Sequence, residues 1–445
     1  MKKQVATPNP KPLARELLIA SLAVQRAALA TKKVLATIKA SQPPPSSNPS
    51  STAPTSGYLP PPGGPSRTNP SATSPSVGAK GARTGTVTGT VTATKPPGAP
   101  PQPPRDIYHA KSDDSPVTVA DYAAQALLVA AIRANFPDDR IVAEEDASEL
   151  RKKPALAARV CELVRSTRLE DEESERLLRG RAGDANMTVE EVIRLVDAGA
   201  GAGGAQGGRY WTMDPVDGTS AFMRGEQYAI SLALLDGEGK ELIGVLGCPN
   251  LKSPPAGSAQ GPVRVEERNV DTKGMGLMLA AVRGQGAKVR PMGRGKLLEA
   301  WRINRRDLGN EQIDLRNLHF VDSCKSPATL ADKVKQLATV TGARYPGTDL
   351  YSSHMRYAAM ALGSREFVQV RVPNTPEAKW SIWDHAGSQL IYTESGAGKV
   401  TDLRGNPIDF TTGRRLTRSW GLITADESIH RTIVDLVADM QRRPQ

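Results

Sequence analysis

From residue 106 onward the chain predicts an α/β fold in which helices and strands alternate and pack in layers. Three observations predict it. TVADYAAQALLVAAIRANF (118–136) repeats apolar residues at helical spacing, stops at Pro137 and leads into RIVAEED (140–146), a short buried strand ending in acids. Runs such as YAISLALL (228–235) and LIGVLGC (242–248) are apolar at nearly every position, as strands buried on both faces are. After residue 273 strand-like and helix-like segments alternate again, which argues for layered α/β or α+β architecture rather than a bundle or a β-sandwich.

In order along the chain, PLARELLIASLAVQRAALATKKVLATI places Leu17, Leu18, Leu22, Ala28 and Leu29 at helical spacing. It is expected to be an amphipathic first helix (1–40) packing on the core. A mitochondrial transit peptide has a similar look. Residues 41–105 consist of Pro, Ser, Gly and Thr with almost no large apolar residue, as in SQPPPSSNPSS, and are expected to be a disordered insertion. GRYWTM (208–213) is expected to be a strand, and 150–205 charged helices followed by a Gly/Ala-rich loop. Residues 251–272 should be a surface loop closing a first half, 106–272. In the second half, 273–445, strands are predicted at 276–284, 315–323 and 366–372, and helices at 355–363 and 384–396.

Composition bounds the function. The net charge of +11 sits in the N-terminal arm: residues 1–105 carry 13 Lys+Arg and one acid, against 45 basic and 46 acidic residues in the remainder. A diffuse basic tail does not predict specific nucleic-acid binding. Cys161, Cys248 and Cys324 are too scattered for a zinc site or disulfide framework and suit the cytoplasm. No apolar run is long enough to cross a membrane. The expectation is a soluble monomer.

The chemistry lies in the acids. Asp121 opens a helix, Glu144 ends a strand, Asp214 and Asp217 flank Pro215-Val216, and Asp384 heads a late helix, so each stands where rigid elements end. Carboxylates with one backbone carbonyl, that of Val216, suit a hard divalent cation such as Mg²⁺, and no His/Cys cluster accompanies them. DPVDG is expected to form a tight turn that aims both aspartates inward. Alone it is as readily a solvated Asx-type turn. His385 is more often a packing partner than a nucleophile in such a position, and Cys248 a core thiol.

DPVDGT (214–219), with AEE (143–145) before it and WDHAG (383–387) after it, resembles the signature of the lithium-sensitive inositol monophosphatase superfamily, more narrowly its 3'(2'),5'-bisphosphate nucleotidase branch. SDDSPVTVADYAAQ (112–125), GVLGCPNL (244–251) and WDHAGSQLIYTESGAGKVTDLRGNPIDF (383–410) extend the likeness. The resemblance implies an α-β-α-β-α sandwich. It implies Mg²⁺ held by Glu144, Asp214, Asp217, Asp384 and the Val216 carbonyl. Asp121 with Thr219 would orient and deprotonate the attacking water, and Thr219, Ser353, Arg356, Arg371 and Asp384 would contact substrate. The implied reaction removes the 3'-phosphate of adenosine 3',5'-bisphosphate, and of 3'-phosphoadenylyl sulfate, in sulfur metabolism. An inositol mono- or polyphosphate phosphatase using the same metals is the alternative, and a non-catalytic binding module a third. Ser220 stands where the branch commonly has Lys, Ala143 where it has Gly, and Arg356 where it often has Lys. These departures touch substrate contacts rather than metal ligands.

Overall fold

The computed structural model of the chain describes residues 12–41, 108–110, 116–179, 186–203, 207–253, 263–303, 305–309, 311–324, 326, 329–375 and 377–442. Apart from Ser41, the expected insertion 41–105 lies outside them. In chain order come helix α1 (Ala14–Ala40), strands β1 (Tyr108–Ala110) and β2 (Pro116–Thr118), α2 (Val119–Asn135), β3 (Arg140–Ala143), then helices α3 (Ser148–Lys152), α4 (Pro154–Ser166), α5 (Glu172–Leu178) and α6 (Val189–Asp197). Next are β4 (Tyr210–Asp217), α7 (Thr219–Met223), β5 (Ala229–Leu235), β6 (Glu241–Cys248), β7 (Leu277–Val282), β8 (Ala287–Pro291) and β9 (Trp301–Ile303). The last part holds β10 (His319–Asp322), α8 (Ala331–Thr341), β11 (Thr348–Asp349), α9 (Ser353–Leu362), β12 (Phe367–Arg371), α10 (Ala386–Glu394), β13 (Lys399–Thr401), β14 (Leu422–Ala425) and α11 (Glu427–Arg442).

Two sheets organise these elements. A seven-stranded sheet in the order β3-β4-β5-β6-β7-β8-β9 pairs β3 with β4 in parallel and the rest antiparallel. A five-stranded sheet runs β11-β10-β12-β14-β13. Helices α1 and α2 cover one face of the larger sheet, α9 and α10 fill the space between the sheets, and α8 and α11 cover the outer face of the smaller one. This is an α-β-α-β-α sandwich, as expected. On β5 the two-residue alternation sends Ile230, Leu232 and Leu234 into the core under α1 and α2, and Ala229, Ala233 and Leu235 into the core shared with α9 and α10. The first sheet continues to Ile303, beyond the boundary at 272/273 that the sequence suggested.

Close backbone approach seats α10. A Cβ on Gly244 of β6 would lie 2.2 Å from the Gly387 carbonyl, so only glycine lets this helix descend onto the sheet and bring Asp384 inward.

Some expectations change. Helix α1 is not amphipathic over its middle: Gln25 and Arg26 are buried with its apolar residues. Gln25 bonds Gly293 and Gly295, and the Arg26 guanidinium pairs with Glu175 at 3.2 Å. Residues 315–317 form a short 3-10 turn capped by Asp314 rather than strand, because that side chain accepts the Arg316 N–H. Helix α9 begins at Ser353, two residues before the expected start, with Ser352 as its N-cap. Among the described residues no helix is long and apolar enough to cross a membrane.

The Arg26–Glu175 pair gives a stability prediction. Glu175→Ala removes the carboxylate facing a guanidinium buried between α1 and α2, and is expected to cost about 3–5 kcal/mol. Urea denaturation measures it. A loss under about 1 kcal/mol would mean that other acceptors such as the Leu127 carbonyl, which takes a bond from Arg26 Nη2 at 3.1 Å, suffice.

Candidate active site

The site begins with a strand that breaks step. Residues three apart on a regular strand face opposite sides of the sheet. Asp214 pairs with Ser231 and Asp217 with Ala229, so three steps on β4 oppose two on β5. This one-residue bulge at Pro215-Val216 restores parity and turns both carboxylates to one side. Proline tolerates the place because the ladder makes no demand on its missing N–H. The expected tight turn is therefore a bulged strand end; the true turn is one residue later, at Gly218, with φ of 88°. A Cβ there would sit 2.9 Å from the Ser352 Cβ. Glycine thus permits the N-terminus of α9 to close against Asp217.

That closure fixes the carboxylate. Asp217 Oδ2 accepts bonds from Ser352 Oγ and from the His354 backbone N–H, the latter at 2.7 Å. His354 in turn bridges the Trp383 carbonyl (2.9 Å) and Ser388 Oγ (2.8 Å), tying α9 to the turn that carries Asp384. Neither Ser352 nor His354 is among the sequence candidates; a serine at N-cap distance before MRYAAMALG is the signal the sequence carries.

Oxygens of Asp214, Asp217 and Asp384 lie within 4.8 Å of one another. They share a cleft of about 210 Å³ with Glu144, Val216, Gly218, Thr219, Ser220, Ser326, Tyr351, Ser353, Arg356 and Arg371. Nine of the ten predicted residues therefore meet in one cavity. The tenth, Asp121, is buried behind it: its Oδ1 accepts from Thr219 Oγ1 at 3.2 Å, while Oδ2 is engaged by the Thr118 N–H (2.8 Å) and hydroxyl (2.5 Å). Thr219 Oγ1 also lies 3.1 Å from the Val216 carbonyl.

Burial, then repulsion from Glu144, Asp217 and Asp384, drives the Asp214 pKa well above the usual carboxylate range. Asp384 is pushed up to about 7 by burial, Asp217 and Glu144. Such crowding is unfavourable unless a cation sits among the oxygens, and an all-oxygen donor set without His or Cys suits a hard divalent ion.

Beyond the acids stand two buried guanidinium groups. Arg356 is 1% and Arg371 6% exposed, and neither has a carboxylate within ion-pair distance among the described residues, so the ordinary surface ion pair is ruled out for both. Burial lowers the pKa of each, and Arg356 lowers that of Arg371 further. Their availability differs. Arg356 donates through Nη1 to the Leu350 and Tyr351 carbonyls (2.8 and 2.9 Å) and through Nη2 to Ser353 Oγ (2.9 Å), so its fork is not open as expected. Arg371 makes one long bond, 3.4 Å, to Ser353 Oγ and stacks on Trp380 at 4.8 Å. It is the better anion fork.

His385 is buried outside the cleft, with Nδ1 3.2 Å from the Tyr357 hydroxyl; burial and Arg371 lower its pKa well below the usual value, and it packs as a neutral ring. Cys248 is a buried core thiol, as expected.

The family model described as the inositol monophosphatase family matches residues 101–441. The chain is 36% identical over 328 residues to a 3'(2'),5'-bisphosphate nucleotidase of Emericella nidulans, covering 74% of this chain and 89% of that protein. It is 33% identical to proteins of the same name from Schizosaccharomyces pombe, with 74% and 85% covered, and Oryza sativa, with 74% and 86% covered. A solved IMPase structure from Thermotoga maritima aligns with 75% of this chain and 88% of its own at 20% identity, TM-score 0.44.

Proposed function

The chain belongs to the inositol monophosphatase family, and on that premise we propose that it is a Mg²⁺-dependent phosphomonoesterase converting adenosine 3',5'-bisphosphate to AMP and phosphate. The observation that carries the reading is one cleft holding three crowded carboxylates and two buried arginines that have no carboxylate within ion-pair distance among the described residues. Such a site is completed by a cation and an anion together, which a metal-chelated phosphate supplies. The nucleotide as substrate, rather than an inositol phosphate, rests on the names of the relatives at 31–36% identity. 3'-Phosphoadenylyl sulfate, carrying the same 3'-phosphate, is taken as a second substrate in sulfur metabolism.

Glu144, Asp214, Asp217, Asp384 and the Val216 carbonyl would hold the metal. When bound, Mg²⁺ polarises the phosphoryl oxygens, acidifies water and neutralises the departing oxygen. Thr219 and Asp121 manage the water's proton. Because Thr118 engages Asp121 Oδ2, only Oδ1 faces Thr219; with the threonine proton donated there, the Oγ1 lone pair is free to accept from a water in the cleft. Arg371 and Ser353 orient the phosphoryl oxygens. A monomer is proposed, and three scattered cysteines suit the cytoplasm.

Phosphate release from adenosine 3',5'-bisphosphate, 3'-phosphoadenylyl sulfate and inositol 1-phosphate tests the reading. Release from the two nucleotides with Mg²⁺, abolished by chelation and inhibited by lithium, is expected. Turnover of the inositol phosphate alone would overturn the nucleotide assignment.

A further inference from the structure

The cleft is small for the ligand it would take. Drug-sized ligands occupy pockets of roughly 300–1,000 Å³, whereas this cavity measures about 210 Å³ and is lined by acids, arginines and hydroxyls. That volume and chemistry suit a phosphate and the sugar carrying it, and leave a base at the mouth. Among the described residues the one aromatic on the lining is Tyr351, which is 40% exposed.

The backbone at Tyr351 is held on both sides. Its N–H donates to Glu267 Oε2 at 3.0 Å, and its carbonyl accepts from Arg356 Nη1 at 2.9 Å. The Arg224 guanidinium carbon lies 5.9 Å from the ring centroid, and Arg224 Nε donates to Glu226 Oε2 at 2.6 Å, which steadies the ring. An exposed tyrosine with a pinned backbone presents a flat face at little further entropic cost. The same backbone carbonyl positions Arg356, so the ring stands at a fixed place relative to the phosphate end of the cleft.

Resting on the nucleotide reading above, we propose that Tyr351 is the platform on which the purine base of the substrate stacks, and so the residue that favours nucleotides over phosphate esters of base-free alcohols. Stacking on an aromatic side chain needs no particular hydrogen-bond pattern and is lost on truncation to alanine.

The test is kinetic, on the full chain with Mg²⁺. Tyr351→Ala is expected to raise KM for adenosine 3',5'-bisphosphate roughly tenfold with kcat little changed, and to raise the inhibition constant of AMP in parallel. The inhibition constant of inorganic phosphate, which has no base to stack, should stay at the wild-type value. Tyr351→Phe keeps the ring face and should retain wild-type KM. An unchanged KM and AMP constant in the alanine variant would overturn the platform and leave the nucleotidase reading standing. A parallel weakening of phosphate would also overturn it, assigning Tyr351 to support of Arg356. Wild-type protein that releases phosphate from inositol 1-phosphate but not from the nucleotide would overturn both.

Discussion

Asp214→Asn is expected to abolish phosphate release while raising the melting temperature of the metal-free protein. The two effects have one cause. Asp214 is 2% exposed and faces Glu144, Asp217 and Asp384, so its charged form is tolerated only with a cation present. Asparagine retains an oxygen for the Val216 N–H, which Asp214 Oδ1 accepts at 3.2 Å, and removes the charge. Loss of a metal ligand should lower kcat at least about 10³-fold, about 4 kcal/mol of barrier.

The sign of the stability change follows from proton linkage. A carboxyl whose pKa is raised by folding binds more protons in the native than in the unfolded state. Stability therefore falls as pH rises from the unfolded carboxylate value of about 3.9 through the raised folded value. Asp384, at about 7, extends that window to neutrality. In a chelator, wild-type melting should decline between pH 5 and 8, and the variant's should decline less. The advantage of Asp214→Asn should shrink toward pH 5, where protonation does to Asp214 what the amide does. Mg²⁺ should reverse the order at pH 8. A variant less stable than wild type in chelator across the range would show that Asp214 is held by its hydrogen bonds rather than strained by charge.

The limits of sequence legibility are visible in the same residues. The carboxylates were legible because each ends an element whose apolar run could be recognised. The manner of their convergence was not, because the parity of Asp214 and Asp217 depends on how β4 pairs with β5. The Thr219–Asp121 bond spans 98 residues and the Ser352–Asp217 bond 135, distances at which spacing carries no signal. Strands buried on both faces announced themselves as apolar runs. Helix α11 is absent from the sequence expectations, although Ile429, Ile433, Val434, Val437 and Met440 repeat at helical spacing and are buried. Arg356 shows the opposite limit. Its residue type suggested an open phosphate fork, and only the folded loop reveals that Leu350 and Tyr351 already occupy it.

That contrast separates the two arginines experimentally. Arg371→Met is expected to lower kcat/KM for the nucleotide about 10²–10³-fold, because a charge-assisted pair with the phosphate disappears from a site excluded from water. Without phosphate the same variant should melt no lower than wild type, since it removes a buried charge that, among the described residues, has no carboxylate within ion-pair distance and makes one long hydrogen bond. Inorganic phosphate should raise the melting temperature of Mg²⁺-loaded wild type and leave that of Arg371→Met nearly unmoved, a binding readout that needs no turnover. Arg371→Lys keeps the charge but not the paired donors, and should recover only part of the affinity. Arg356→Met should instead melt lower than wild type even without phosphate, because two backbone carbonyls lose their donor. Were Arg371→Met to respond to phosphate as wild type does, Arg356 would have to be the anion's partner despite its engaged fork, and the loop from Leu350 to Ser353 would then have to open for substrate to bind.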